Sequence, residues 1–235
     1  MILRIPAFLL LLSCLSWTAG PDEQYLTYIA DPAVQQIDLY WKDAGGQRIG
    51  SIGNLKNLVN KRKQELLFAT NGGMYNPDHA PLGLFIADNK TVTPLDTSSG
   101  EGNFYLKPNG VFYLTNDHTA AVCPTERFVH HGNIRYATQS GPMLLIEGAI
   151  HPAFRKGSDN LNIRNGAGIL PDGRILFALS KNPVNLYDFA EYFRKTGCRN
   201  ALYLDGFVSR AYLPEENWIQ TDGDFGVLIG VTRFF

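Results

Sequence analysis

The sequence is short of cysteine, of histidine and of charge. Three cysteines in 235 residues exclude a disulfide-stapled scaffold, and a chain this long buries about 70% of its unfolded surface without staples. Charged residues make up 18%, with 21 Lys and Arg against 22 Asp and Glu. Neither sign dominates, which argues against a nucleic-acid partner, since nucleic acid selects a basic face. Low charge combined with 45% hydrophobic residues excludes intrinsic disorder. The five histidines (His79, His118, His130, His131 and His151) show no metal-ligand spacing. The phosphate-binding P-loop, the dinucleotide-binding glycine fingerprint, the HExxH zinc motif and the GxSxG nucleophile elbow are all missing. No metal or cofactor is expected; an assisting divalent cation stays open. Beyond the first twenty residues no apolar run approaches the roughly 20 residues needed to cross a bilayer.

The first twenty residues differ in kind from the rest. Arg4 precedes an apolar run from Ile5 to Leu12, followed by Ser13, Cys14 and small residues. This stretch is too short to span a membrane and reads as an export signal over residues 1–20, leaving 21–235 as one domain. Leu11-Leu12-Ser13-Cys14 looks like a bacterial lipobox, which would make Cys14 a lipidated terminus and the chain's sole attachment to a membrane. The competing cut after Gly20 puts Pro21 just past the scissile bond. Export to a bacterial periplasm or envelope follows from either cut. Cys123 and Cys198 then remain, either paired or as two buried thiols.

The remainder reads as many short strands and hairpins with two main helices, an α+β fold around a mixed sheet. Strands are expected over Ile37–Trp41, Leu67–Thr70, Gly83–Ala87, Asn103–Leu106, Asn200–Leu204 and Phe225–Val231. Asn54 is placed to cap a helix over Leu55–Leu66, and Asn185 precedes a second helix with Leu186, Phe189, Ala190 and Phe193 on one face, stopped by Gly197. Lys107-Pro108-Asn109-Gly110 and Leu170-Pro171-Asp172-Gly173 both read as hairpin turns. Aromatic residues reach 12%, which suits a β-rich core and, in part, stacking on sugars.

Polar residues recur at strand ends beside glycines. Asn71 leads into Gly72-Gly73, Ser140 into Gly141-Pro142, Arg164 into Asn165-Gly166-Ala167-Gly168, and Asp205 into Gly206. An acidic residue at the end of a buried strand is a turn former or a site carboxylate, and four such places in one chain favour a site. By contrast, Asp222-Gly223-Asp224 and Glu147 read as solvated turns.

In this order the segments Asn71-Gly72-Gly73-Met74-Tyr75, Ser140-Gly141-Pro142-Met143-Leu144, Arg164-Asn165-Gly166-Ala167-Gly168, Pro171-Asp172-Gly173 and Leu204-Asp205-Gly206 resemble the phosphodiester glycosidase family, over roughly residues 65 to 232. The family commonly continues its Leu-Asp-Gly with more glycine and serine. Here Phe207 and Val208 intervene before Ser209, removing backbone freedom and bringing a bulky ring to the site. The resemblance implies an exported hydrolase that cleaves sugar-1-phosphodiesters of envelope or extracellular glycans, with a sugar-phosphate or glycan as its partner. Asp205 suits a base or electrostatic stabiliser and Arg164 a phosphate ligand, because guanidinium meets phosphate oxygens bidentately. Asn71, Gly73, Tyr75, Ser140, Gly141, Gly206 and Ser209 are the expected substrate contacts. The alternative is a non-catalytic glycan-binding or structural envelope protein on the same fold.

Overall fold

The computed structural model describes residues 21–205 and 208–234. The leader with Cys14, together with Gly206 and Phe207, lies outside these described residues. Among them, sixteen strands and two ten-residue helices form an α+β domain in which β-structure predominates. The pairing is antiparallel throughout and divided among three sheets, where the sequence reading placed one mixed sheet.

The first sheet runs in the order β1 (Tyr25–Ala30), β12 (Ile175–Ser180), β11 (Asn165–Ile169), β13 (Ala201–Tyr203), β9 (Met143–Ile146) and β10 (Ala149–Ile150). The second runs β15 (Trp218–Ile219), β14 (Ala211–Leu213), β3 (Gln64–Asn71), β16 (Leu228–Phe234) and β2 (Gln36–Tyr40). The third runs β5 (Lys90–Thr93), β4 (Phe85–Ala87), β8 (Ile134–Ser140), β6 (Gly110–Thr115) and β7 (Ala120–Pro124).

All three sheets turn one face to a common core. In β12, Ile175, Phe177 and Leu179 point inward, while Leu176 and Ala178 point outward beneath the helix Leu186–Lys195. The period-2 alternation is hidden in the sequence because both faces are apolar. The aromatic surplus fills the centre. Tyr28 stacks on Phe68 at 4.9 Å, Phe68 on Phe177 at 5.3 Å, and Phe112 meets Phe177 edge-on at 5.9 Å. These rings come from all three sheets. The outer face of the second sheet is covered by the helix Ile52–Lys61 through Ile52, Leu55 and Val59.

Local signals held at some joints and failed at others. Asn185 caps the second helix, its side chain accepting from the Asp188 N–H at 2.8 Å. The Pro171-Asp172-Gly173 turn joins β11 to β12, with Gly173 at φ 88°. The first helix is capped by Ser51 instead of Asn54 and ends at Lys61, because Leu66 belongs to β3, a strand paired on both sides. Asn103–Tyr105 is a short 3-10 turn and not a strand, so Lys107–Gly110 makes no hairpin. Cys123 and Cys198 are both free thiols.

The second helix lies close to its sheet at Gly168. A Cβ there would come within 2.7 Å of Phe193 Cδ1 and 2.8 Å of Cys198 Sγ. Gly168→Ala is expected to cost about 1–3 kcal/mol by overpacking, a fall in Tm of about 2–12 °C by thermal unfolding. An unchanged Tm would show that the helix has room to retreat.

Candidate functional site

Among the described residues the chain passes between sheets four times, and three of these passages meet. Asn71 ends β3 as the chain leaves the second sheet for the third, Ser140 ends β8 as it leaves the third for the first, and Leu204-Asp205 follows β13 as it leaves the first for the second. Crossovers of this kind expose backbone groups that no ladder satisfies, so side chains must do so.

The Asn165 amide is the centre of that satisfaction. Its Nδ2 donates to Thr70 Oγ1 at 2.9 Å, to Asn71 O at 2.8 Å and to Asn71 Oδ1 at 3.1 Å. Its Oδ1 accepts from the Asp205 N–H at 2.9 Å and from Ser209 Oγ at 3.2 Å. Asn71 donates to the Asp205 carbonyl at 3.4 Å and accepts from the Arg210 N–H at 3.1 Å. Ser209 Oγ also donates to the Asp205 carbonyl, and Ser140 Oγ donates to Leu204 O. The Asp205 backbone is thus held on both its N–H and its C=O.

The Asp205 side chain lines a hollow of about 300 Å³ together with Tyr75, Glu101, Asn103, Phe104 and Val208. Tyr75 is half-buried, and one face of its ring stacks on His79 at 5.0 Å. His79 Nε2 lies 2.9 Å from Asp224, which is also paired with Arg48 at 2.6 Å. Hydrogen bonding from Arg48 holds the Asp224 carboxyl below its usual range. The Asp222–Asp224 turn therefore braces the segment carrying Tyr75. Burial, and then the charge of Asp205, push the Tyr75 phenol upward, so the two side chains share one electrostatic environment.

Arg164 is fully buried. Its Nε donates to Val184 O at 2.7 Å, one terminal nitrogen to the Tyr203 hydroxyl at 3.1 Å, and the other to Asn160 O at 2.7 Å. It borders a second hollow, about 190 Å³, with Arg155, Ser158 and Asn160, and Asn103 lines this hollow as well as the first. The turn leading to Arg155 is pinned by His151, whose Nδ1 accepts from the Ala153 N–H at 3.2 Å and whose ring stacks on Phe154 at 4.8 Å. A larger hollow of about 690 Å³, between β1 and the end of the second helix, contains none of the expected site residues. Among the described residues, no three His, Cys, Asp or Glu side chains come together as a metal site.

With this geometry in place, similarity to known proteins becomes informative. The phosphodiester glycosidase family profile matches residues 64–228. The uncharacterized protein YigE of Escherichia coli strain K12 is 38% identical over 196 residues, spanning 83% of this chain and 76% of that one. The chain belongs to the phosphodiester glycosidase family. The zebrafish N-acetylglucosamine-1-phosphodiester alpha-N-acetylglucosaminidase catalytic domain, auto-inhibited by its pro-peptide, shares the fold with a TM-score of 0.55 at 16% identity, covering 88% of each chain. A Burkholderia pseudomallei protein, provisionally described as exported, gives a TM-score of 0.57 at 11% identity over 88% of this chain and 73% of its own.

Of the positions the family resemblance singles out, Asn71, Ser140, Asp205 and Ser209 converge, Tyr75 joins Asp205 in its hollow, and Arg164 borders the adjoining one. Gly206 lies outside the described residues. Asn71, Ser140 and Arg164 are all fully buried, and Asn71 and Ser140 direct polar atoms at the Leu204-Asp205 segment. Gly73 and Gly141 face protein: a Cβ would come within 2.6 Å of Thr138 Oγ1 and of Asn109 Cβ respectively, so their small size lets crossovers pass neighbouring strands. Glu101, Asn103, Arg155, Ser158 and the role of Asn165 were not singled out in the sequence. The one available signal was Gly100-Glu101-Gly102, a carboxylate between two glycines.

Asn165→Ala would leave the Asp205 N–H and the Asn71 carbonyl buried without this partner, at about 3 kcal/mol in all, lowering Tm by about 6–12 °C. A shift under about 2 °C would remove the amide from its central place. His151 gives a pH dependence. Burial holds its imidazole below the ordinary value of 6.5, so the unfolded chain takes up a proton that the folded chain resists. Stability should therefore be complete above about pH 6.5 and decline on acidification below it. His151→Asn should flatten that limb of a Tm-against-pH curve; an identical slope in the variant would refute the assignment.

Proposed function

We propose that this protein is an exported hydrolase that cleaves the glycosidic bond of sugar-1-phosphodiesters in envelope or extracellular glycans. Family membership supports the reaction class. The observation that carries the reading is the pairing of hollows: one holds the Asp205 carboxylate, the other borders the Arg164 guanidinium, and Asn103 lines both. A sugar 1-phosphodiester has the matching division, a neutral ring joined to an anion. Tyr203 links the two ends, since it accepts from Arg164 and also feels the charge of Asp205.

The departing group is a phosphate monoester, already stable as an anion, so protonating it matters less than in an ordinary glycoside. The electrons of the bond between the anomeric carbon and the phosphate oxygen leave with that oxygen. Water supplies the new oxygen on the sugar. Asp205 takes the water proton or stabilises the positive charge that develops at the anomeric carbon, and Arg164 fixes the phosphate end. Asn71, Ser140, Ser209 and Asn165 keep the Asp205 segment in place, and Tyr75 offers its remaining ring face to the sugar.

The apolar leader at residues 5–12 supports export, with a lipid anchor at Cys14 as one form of it, and the Burkholderia neighbour's description points the same way. A second reading, a glycan binder without turnover, draws on Val208, which narrows the Asp205 hollow where the family commonly has small residues.

Purified protein should release free sugar from a panel of α-sugar-1-phosphodiesters. Asp205→Asn should lower kcat by about 10²–10⁴-fold with an unchanged circular dichroism spectrum, and Arg164→Lys should raise KM by losing the guanidinium bonds to Val184, Asn160 and Tyr203 that frame the second hollow. Full turnover in Asp205→Asn sinks the assignment of that carboxylate. Glycan binding by the parent without turnover favours the second reading.

A further inference from the structure

The acidic turn Asp222-Gly223-Asp224 is tied to both segments that supply the Asp205 hollow. On one side, Arg210 Nε lies 3.2 and 3.0 Å from the two carboxylate oxygens of Asp222. Arg210 closes the crossover that carries Asp205: its N–H donates to Asn71 Oδ1 at 3.1 Å, and its carbonyl accepts from Thr70 Oγ1 at 2.9 Å. On the other side, Asp224 meets His79 Nε2 at 2.9 Å and Arg48 at 2.6 Å. His79 belongs to a tight hairpin over residues 74–82, closed by the Asn76 N–H on Ala80 O and the Leu82 N–H on Met74 O, both at 2.9 Å. Its ring lies 5.0 Å from that of Tyr75, with 16° between the planes. Gly226 seals the same contact, because a Cβ there would come within 2.6 Å of Tyr75 Cβ and 3.2 Å of the His79 carbonyl.

The turn itself is fastened. The Phe225 N–H donates to Gly50 O at 2.6 Å, the Gly53 N–H to Thr221 O at 2.8 Å, and Arg48 to the Phe225 carbonyl at 3.0 Å. Gly223, at φ 119°, makes the bend that sends its two neighbours to different partners. Both carboxylates are about two-thirds exposed (64% and 67%), so their ion pairs contribute little to stability. Their effect falls on geometry.

We propose that this turn is a clasp that sets the separation between the Tyr75 ring and the Asp205 carboxylate, with His79 and Arg210 as positioning residues. The inference rests on the hydrolase reading of the Asp205 hollow. Tyr75 stacks on the apolar C–H face of a pyranose, and His79 behind it keeps the ring from turning away. Asp205, on the opposite wall, meets the reacting centre. A fixed gap then selects the sugar: pyranoses with an unbroken C–H face toward Tyr75 fit, and an axial hydroxyl on that face holds the ring off.

The two ends of the clasp have different kinetic signatures, which a role in stability alone would not produce. Asp224→Ala and His79→Ala loosen Tyr75 and should raise KM for sugar-1-phosphodiesters about three- to tenfold with kcat unchanged. His79→Phe keeps a ring behind Tyr75 and should recover part of that loss. Asp222→Ala releases Arg210 and should lower kcat about two- to fivefold with KM unchanged. Glu65→Gln breaks an exposed pair of the same kind, with Arg233 at 2.7 Å, and should leave both constants within about twofold. The clasp is overturned if its two ends move the same constant, if neither moves one, or if Glu65→Gln matches them. A second readout needs no turnover. With fluorotyrosine incorporated, the Tyr75 fluorine resonance (identified by its loss in Tyr75→Phe) should move on titration with glucose 1-phosphate. Asp224→Ala should weaken that titration about three- to tenfold and Asp222→Ala should leave it unchanged. A resonance indifferent to Asp224→Ala overturns the clasp. The expected titrations in a parent that hydrolyses no sugar-1-phosphodiester would keep the clasp and remove the hydrolase reading; turnover indifferent to the turn would do the reverse.

Discussion

Three sheets that share one interior leave a polar side chain few places to go. A strand such as β12, buried on both faces, has no solvent side on which to put polarity, so polar groups are driven to strand ends and to the segments that carry the chain between sheets. Here the crossovers after β3, β8 and β13 meet at one place. Each leaves backbone groups that no ladder can satisfy, and Asn71, Ser140, Asn165 and Ser209 satisfy them for the segment bearing Asp205. The same constraint that builds the fold therefore fixes the position of the Asp205 segment. A site held in this way is preorganised at the backbone, and its side chain need not depend on a loop ordering itself around ligand.

The electrostatics follow from the same burial. Screening by water would make Arg164 and Asp205 a minor feature on a surface; inside the domain they act at higher effective strength. They are kept apart by neutral groups, chiefly Tyr203, which bonds the cation directly and senses the carboxylate. If the two charges collapsed into a direct ion pair they would neutralise one another and leave neither end of the site with a charge to offer. Separation by a phenol preserves both.

Much of the scaffold was legible locally. Asn185 as a cap, the Pro171-Asp172-Gly173 turn and the apolar face of Phe189, Ala190 and Phe193 each depend on neighbours within a few residues. The order of strand-end motifs was legible too, and it pointed to Asp205. What failed was whatever required knowing the partner strand. Leu66 fits the helical spacing of Leu55 and Val59, yet pairing with Thr232 of β16 recruits it to β3, an instance of tertiary pairing overriding propensity. Asn103–Leu106 reads as a strand, but Asn103–Tyr105 bends into a 3-10 turn. Asn71 and Ser140 read as ligand donors because their types suit that role. Their actual partners, Asp205 and Leu204, lie 134 and 64 residues away.

The residues missed entirely, Glu101, Asn103, Arg155 and Ser158, sit on irregular segments where no periodicity marks them. Their chemistry is nevertheless constrained by composition. A chain with little charge and no excess of either sign has no cationic surface with which to gather phosphate from solution. In a chain of this composition a strong local positive field can come only from a few guanidiniums placed where water screens them poorly. Arg164, buried among the neutral acceptors Val184, Asn160 and Tyr203, is a charge placed in that way.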